Sequence, residues 1–358
     1  MSETRAGWIE APKYDLWLLV LPPLLGLIVC GFAFAVDPFL IAGVSLFLLG
    51  MPHYLSTYAF YLDDDNMAYA KTRKTAFFIG PILIVLLLTA GLKFKFYLLV
   101  ALWVDAWNVF HVSRQSGGIL SVYRHLNGGD NRLEKVPANL ALVCTSAGLY
   151  SMSIDRQQSF SHYLARLPWD IMPYVGPVLL TIGFGGLVVL IVRMSRRGAS
   201  LVTPEVLFLI TSMLLFAPYA LIKSRTTASS AMLSGHYIQY MGILWLLNFR
   251  KYKEVAGSAG QRLLASVSRS AKSILLLLVS LVIATSISDR VIHHYNFMGF
   301  HNWLLNLIVL MHFYLDGLFW AFKYKHTRDS IGPYLLLPDH RVTAPSGVTP
   351  MPLPVAAA

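Results

Sequence analysis

From residue 171 to residue 192 the chain reads IMPYVGPVLLTIGFGGLVVLIV, without a charged side chain. A helix of that length crosses the roughly 30 Å hydrocarbon core of a bilayer. In hydrocarbon every backbone N–H and C=O needs an internal partner, so a chain built from such stretches folds as helices or as a closed barrel. Barrel strands are about half as long and alternate in polarity. Here the apolar runs are long and continuous, at roughly 15–36, 38–62, 75–92, 96–122, 138–154, 171–193, 203–222, 230–249, 273–288 and 300–322. Composition agrees: 56% of the residues are hydrophobic and 13% charged, about half the charged fraction of a soluble domain. The expected fold is all-α, a polytopic membrane helical bundle of about ten transmembrane helices. Residues 1–337 read as one domain, and the Pro- and Ala-rich 338–358 as a disordered tail.

Lys and Arg in the short loops set orientation. The even-numbered loops carry KTRK at 71–74, then Arg124, Arg132 and Lys135, then RMSRR at 193–197, then RKYK at 250–253 with Arg262, Arg269 and Lys272. The odd-numbered loops are poorer, with Asp37 alone in one, Lys93 and Lys95 in another, Lys223 and Arg225 in a third, and Asp155, Asp170 and Asp289 offsetting Arg156, Arg166 and Arg290 in the rest. Both termini therefore read as cytoplasmic, in a multi-pass protein of a bacterial inner membrane. The opening MSETRAGWIEAPKYD is polar and leads straight into a full-length run, so the first span is expected to be retained. The net charge of +11 is then a topology signal with some attraction to anionic membrane lipid. It forms no compact basic face for nucleic acid. Cys30 and Cys144 both fall inside runs, which leaves no disulfide framework.

The eleven histidines are the informative residues. His53 (GMPHYLSTY), His111 (WNVFHVSRQ), His236 (SGHYIQY) and His312 (VLMHFYLDG) lie on even-numbered runs, which share one direction under this topology. Counted from the outer end, they sit about 15 residues in for His53 and His111, 6 to 10 for His236 and 12 for His312. At 1.5 Å per residue these positions share one layer near the bilayer middle. One ionisable side chain inside a membrane is most often a hydrogen bonder between helices or part of a proton relay. Four at one depth point to a metal. Each has a polar residue three or four positions later: Thr57 after His53, Gln115 after His111, Gln239 and Tyr240 after His236, and Asp316 after His312. A metal-bound imidazole donates its second N–H to such a group. Neutral imidazole suits iron, copper, zinc and nickel, and an all-histidine site without thiolate favours redox-active iron.

Other polar residues are weaker. His125, His162, His293, His294, His326 and His340 fall in expected loops or tails, and Asp63, Asp64 and Asp65 read as a solvated helix end. Asp105 and Asn108 lie deeper, and Arg114 would pair with Asp105 or Asp316 if buried. Aromatic residues crowd the same segments, including Trp103, Trp107, Phe110, Phe313 and Trp320, and would wall an apolar slot. Tyr54, Tyr237 and Tyr314 adjoin the histidines and are candidate catalytic hydroxyls, placed to hydrogen-bond oxygen at the site.

These four segments resemble those of the membrane carotenoid-cleaving oxygenases of the bacteriorhodopsin-related-protein type, which convert beta-carotene to retinal. The resemblance is carried by Gly50, Pro52 and His53, by Phe110 and His111, by His236, and by His312 with Asp316. It implies an all-helical enzyme in which His53, His111, His236 and His312 hold one Fe(II), with O2 and a lipid-soluble polyene as substrates. The chain departs from the family where a carboxylate usually follows the first histidine, offering Ser56 and Thr57, and where a proline precedes the last, offering Met311. Two other classes remain open. A haem-binding electron carrier would need histidine pairs at two depths, and a metal or proton-coupled transporter would favour an internal repeat, of which the sequence has none.

Overall fold

The computed structural model describes residues 7–32, 35–128, 132–156, 172–196, 198, 200–201, 203–252, 257–270, 272–273, 279–280, 283, 290 and 298–336. Among these every regular element is helical. In chain order they are α1 (Pro12–Val20), α2 (Pro22–Phe32), α3 (Leu40–Leu62), α4 (Asp64–Thr72), α5 (Thr75–Lys93), α6 (Tyr97–Leu126), α7 (Arg132–Arg156), α8 (Met172–Arg196), α9 (Pro204–Leu221), α10 (Arg225–Lys251), α11 (Ala259–Ser268), α12 (Met298–Phe319) and α13 (Lys325–Leu335). The expected span at 273–288 and the tail at 338–358 lie outside the described residues, apart from a few positions of the former. So do His162, His293, His294 and His340.

Among the described residues four helices, α3, α5, α9 and the segment Pro173–Arg196 of α8, are long and apolar enough to cross a membrane, against the ten expected. The pair α1 and α2, bent by 50°, makes a fifth if it is one span. The histidine-bearing α6 and α10 are not in this set, although their 30 and 27 residues would reach about 45 and 40 Å. Their mean apolarity is diluted by the polar residues that gather inside the bundle.

Three prolines shape the helices in one way. The residue before each donates its N–H five residues back rather than four: Leu21 to Leu16 ahead of Pro22, Met51 to Leu46 ahead of Pro52, and Gly80 to Thr75 ahead of Pro81. A proline ring crowds the preceding turn and removes a donor, and a widened turn relieves the clash. In α3 the π turn Ser45–Gly50 is followed by α-helix over Met51–Ser56 and a 3₁₀ segment over Thr57–Leu62. His53 and Thr57 therefore sit where the helix changes pitch twice.

The core is organised around α10, which packs against α1, α2, α3, α9, α11 and α13. Gly235 allows the closest approach: a Cβ there would lie 2.5 Å from the Pro22 carbonyl. This brings the neighbouring His236 up to the bundle axis. α12 packs against α3, α5 and α6, so that α3 meets both α10 and α12, and α12 joins α6 to them.

At one end of the bundle polar locks replace apolar packing. Asp63 is fully buried and caps α4 by accepting from the Asn66 N–H at 2.9 Å. It also accepts from the Tyr252 hydroxyl at 2.5 Å and pairs with Lys251 at 3.0 Å. The solvated helix end expected for Asp63 is thus a closed one. Arg124, expected in a loop, is buried in the last turn of α6 between Glu134 and Glu205. His326, also expected to be solvated, bonds Asn66 at 2.8 Å and stacks on Tyr69 at 4.1 Å. Burial alone would push the Asp63 carboxyl up, but Lys251, the Tyr252 hydroxyl and the Asn66 N–H hold it below its ordinary value of 3.8. A depressed carboxyl stabilises the fold above its unfolded pKa and loses that contribution as pH falls through its folded value. Asp63→Asn, which keeps the cap but strands Lys251, is expected to cost about 1–3 kcal/mol at pH 7. Thermal unfolding from pH 7 to 3 checks the assignment: the gap between variant and parent closes below about pH 4, and a pH-independent gap overturns it.

Candidate metal centre

The four histidines converge. His53 and His312 are wholly buried, His236 is 1% exposed and His111 6%. Ring centroids lie 4.4 Å apart for His53 and His312, 4.8 Å for His53 and His236, 4.8 Å for His111 and His312, and 5.4 Å for His111 and His236. Nitrogens of His53, His111 and His312 all come within 4.8 Å of one another, and the Nε2 atoms of His111 and His312 are 3.2 Å apart. His236 closes the ring of imidazoles from the fourth side.

The polar accounting at this cluster is incomplete. Neither nitrogen of His53 nor Nδ1 of His236 has a hydrogen-bond partner. A neutral imidazole carries one donor and one acceptor, and each buried unmet group costs about 1–3 kcal/mol. Imidazole nitrogens gathered in this way, those of His53 and Nδ1 of His236 without a protein partner and Nε2 of His111 and of His312 meeting only each other, are a donor set that a divalent transition metal takes. The residues present fit such an ion.

His312 is the best anchored. Its Nδ1 lies 2.6 Å from the Thr57 hydroxyl, which donates to Asp316 Oδ1 at 2.8 Å, and the Tyr240 hydroxyl donates to the same oxygen at 2.9 Å. Thr57 has one proton, and Asp316 takes it. The hydroxyl can then only accept from His312, so Nδ1 carries the hydrogen and Nε2 keeps its lone pair, facing His111. This tautomer is assigned from the network.

The partners expected one turn along each helix are largely exchanged. Thr57 follows His53 by four residues but serves His312. Tyr240 follows His236 by four but packs on His53 at 4.4 Å. The direct His312 to Asp316 separation is 3.9 Å, too long for a hydrogen bond and bridged by Thr57. Residues four apart stand a full turn above each other, so a ring that reaches the bundle axis meets a neighbouring helix before its own. Gln115 makes no hydrogen bond to His111, its amide atoms being buried without partners. Gln239 spends its amide on the Leu19 carbonyl at 2.6 Å and joins α10 to α1.

The tyrosines divide. The Tyr54 and Tyr237 hydroxyls bond each other at 2.6 Å, with both rings against His53 at 5.4 and 4.8 Å. Two hydroxyls sharing one hydrogen bond retain one proton to donate elsewhere. Tyr314 is not part of the cluster: its hydroxyl donates to the Ala76 carbonyl at 2.8 Å. Two residues after His312 on α12, it points roughly 200° away round the helix. Arg114 is exposed and rests on Phe110 at 5.7 Å, while Asp105 pairs with Arg225, itself bonded to Tyr150.

One contact lacked any distinct sequence signal. Phe313 stacks on His111 at 4.6 Å and 28°, and nothing in the local pattern separates it from the other aromatic residues of that segment. Comparison with family models, with curated proteins and with solved structures finds no match to this chain.

Proposed function

We propose that the chain is a membrane-embedded non-haem iron oxygenase acting on an apolar substrate, with oxidative cleavage of a carotenoid to retinal as the leading candidate reaction. The observation that carries the reading is the cluster of four buried imidazoles, in which nitrogens of His53, His111 and His312 come within 4.8 Å of one another and both nitrogens of His53 and Nδ1 of His236 have no hydrogen-bond partner. His53, His111, His236 and His312 would hold Fe(II), with Thr57, Asp316 and Tyr240 fixing His312. Iron so held supplies O2 activation, and the enclosing apolar residues exclude water from it. The free proton of the Tyr54–Tyr237 pair is the hydrogen-bond donor on offer to oxygen in the pocket. In this reading α6, α10 and α12 also cross the bilayer, about ten helices do so in all, and both termini face the cytoplasm of a bacterial inner membrane. The motif resemblance to the carotenoid-cleaving oxygenases supports the choice of iron and of a polyene.

Haem is disfavoured because the four rings touch one another and leave no slot for a macrocycle. A transporter reading has no specific support at this site, where the network locks a ring in place. The test is metal analysis with an optical spectrum on anaerobically purified protein. About one iron per chain without a Soret band supports the proposal, and a Soret band or no bound transition metal overturns it.

A further inference from the structure

One end of the bundle carries more positive charge than its carboxylates answer. Lys71, Arg73 and Lys74 run from the last turn of α4 to the start of α5, and Lys323 lies in the connection from α12 to α13; all four are exposed. Asp63 is taken by Lys251 and Asp329 by Lys325. Among the described residues no carboxylate pairs with any of the four cations. Tyr324 gathers two of them from distant parts of the chain: the Arg73 guanidinium stands 4.5 Å from the ring centre and the Lys323 ammonium 5.1 Å. Arg73 is held in place by donating to the Tyr69 hydroxyl at 3.0 Å. The turn that carries Lys323 is held by Arg328, which donates to the Phe322 and Lys323 carbonyls, each at 2.9 Å. A ring face attracts a cation without neutralising it, so two like charges are kept close together with no counter-charge.

Directly beyond this cluster an apolar surface begins. α5 starts at Thr75, is apolar enough to cross a membrane, and keeps Phe78, Ile79, Ile82, Leu83, Leu86 and Leu87 exposed. Their spacing alternates between one and three residues, which sets them on one face of the helix. A ridge of this kind meets acyl chains, and cations at its end stand at the level of the headgroups.

We propose that Arg73 and Lys323, supported by Lys71 and Lys74, hold the phosphodiester of one anionic phospholipid, whose acyl chains lie along the exposed face of α5. The arginine fork matches two phosphate oxygens and the lysine adds a point charge. A zwitterionic phospholipid brings its own cation and gains less from the same cluster. Seated there, the anion removes the repulsion between Arg73 and Lys323 and joins the α4–α5 corner to the α12–α13 turn. The inference stands apart from the reading of the histidine centre, whose success or failure leaves it unchanged.

The test titrates full-length, delipidated protein in neutral detergent with dioleoyl phosphatidylglycerol, and separately with dioleoyl phosphatidylcholine, and counts bound lipid by native mass spectrometry. One phosphatidylglycerol is expected to bind saturably, with a Kd about tenfold or more below that of phosphatidylcholine. Arg73→Gln combined with Lys323→Gln is expected to weaken phosphatidylglycerol about tenfold or more and to leave phosphatidylcholine unchanged. Lys323→Gln alone, at an exposed position, should weaken it about threefold or more and keeps the test open should the double variant fold poorly. Arg193→Gln with Arg196→Gln removes the same charge from the end of α8 and should leave the Kd within about twofold. Equal affinity for the two lipids, or an unchanged Kd in the Arg73 and Lys323 variants, overturns the proposal. An equal loss in the α8 pair overturns it as well, since net charge alone would then account for the binding. Displacement of the lipid by an equal concentration of free glycerol 3-phosphate would do the same, by reassigning the cluster to a soluble anion.

Discussion

His53→Leu is expected to lose the metal and yet leave the metal-free protein as stable as its parent, or more so. The two halves come from one observation, the absence of any hydrogen-bond partner for either nitrogen of a wholly buried ring. Were His53 an ordinary interhelical hydrogen bonder, leucine would strand its partner, and the fold would lose about 1–3 kcal/mol. No protein group is stranded here, and removing an unmet buried polar ring for an aliphatic side chain of comparable bulk relieves a desolvation cost of similar size. The metal side is larger. Changing a group that merely orients a ligand typically costs 10–100-fold in affinity, so deleting a ligand should exceed about a hundredfold. Chelator competition on the purified variant measures the first quantity, and thermal unfolding in excess chelator the second. Retained iron together with a lowered melting temperature would falsify the assignment. His312→Ala should lose metal as well, but at a cost to the metal-free fold, because Thr57 and Asp316 lose their neighbour. His340→Ala, in the tail, should change neither.

The contrast between His53 and His312 shows which parts of the centre were legible in the sequence. The four histidines could be selected by depth alone, because burial in an apolar run leaves few reasons for an imidazole, and a helix converts residue count into height at a fixed rise. Their true partners could not be selected by the same arithmetic. Same-helix spacing names Thr57 for His53 and Tyr240 for His236, whereas the bundle gives Thr57 to His312 and Tyr240 to Asp316 and His53. Which helix lies beside which is a long-range fact, set in part by Gly235 against Pro22. The pitch changes in α3 are intermediate: Pro52 announces a disturbance, but its form, a π turn before and a 3₁₀ turn after, depends on packing. Asp63 misled because three consecutive acids resemble a solvated end until Lys251 and Tyr252, nearly two hundred positions later, arrive to bury the first of them.

Thr57→Val is expected to weaken metal binding about 10–100-fold with all four histidines in place. The hydroxyl passes on the influence of a carboxylate from another helix: Asp316 takes the Thr57 proton, and Thr57 in turn accepts from Nδ1 of His312. Valine preserves the shape and removes both roles. His312 is then free to carry its proton on Nε2, the nitrogen that faces His111, and in that tautomer it has no lone pair for a metal. Thr57→Ser should recover affinity to within a few-fold, since it restores the hydroxyl while losing only a methyl group. Nitrogen-15 chemical shifts of the His312 ring in metal-free protein report the tautomer directly, with Nδ1–H expected in the parent and in Thr57→Ser and a shift toward Nε2–H in Thr57→Val. Wild-type affinity and an unchanged tautomer in Thr57→Val would mean that packing alone holds the ring, and that Asp316 acts on Tyr240 rather than on the metal centre.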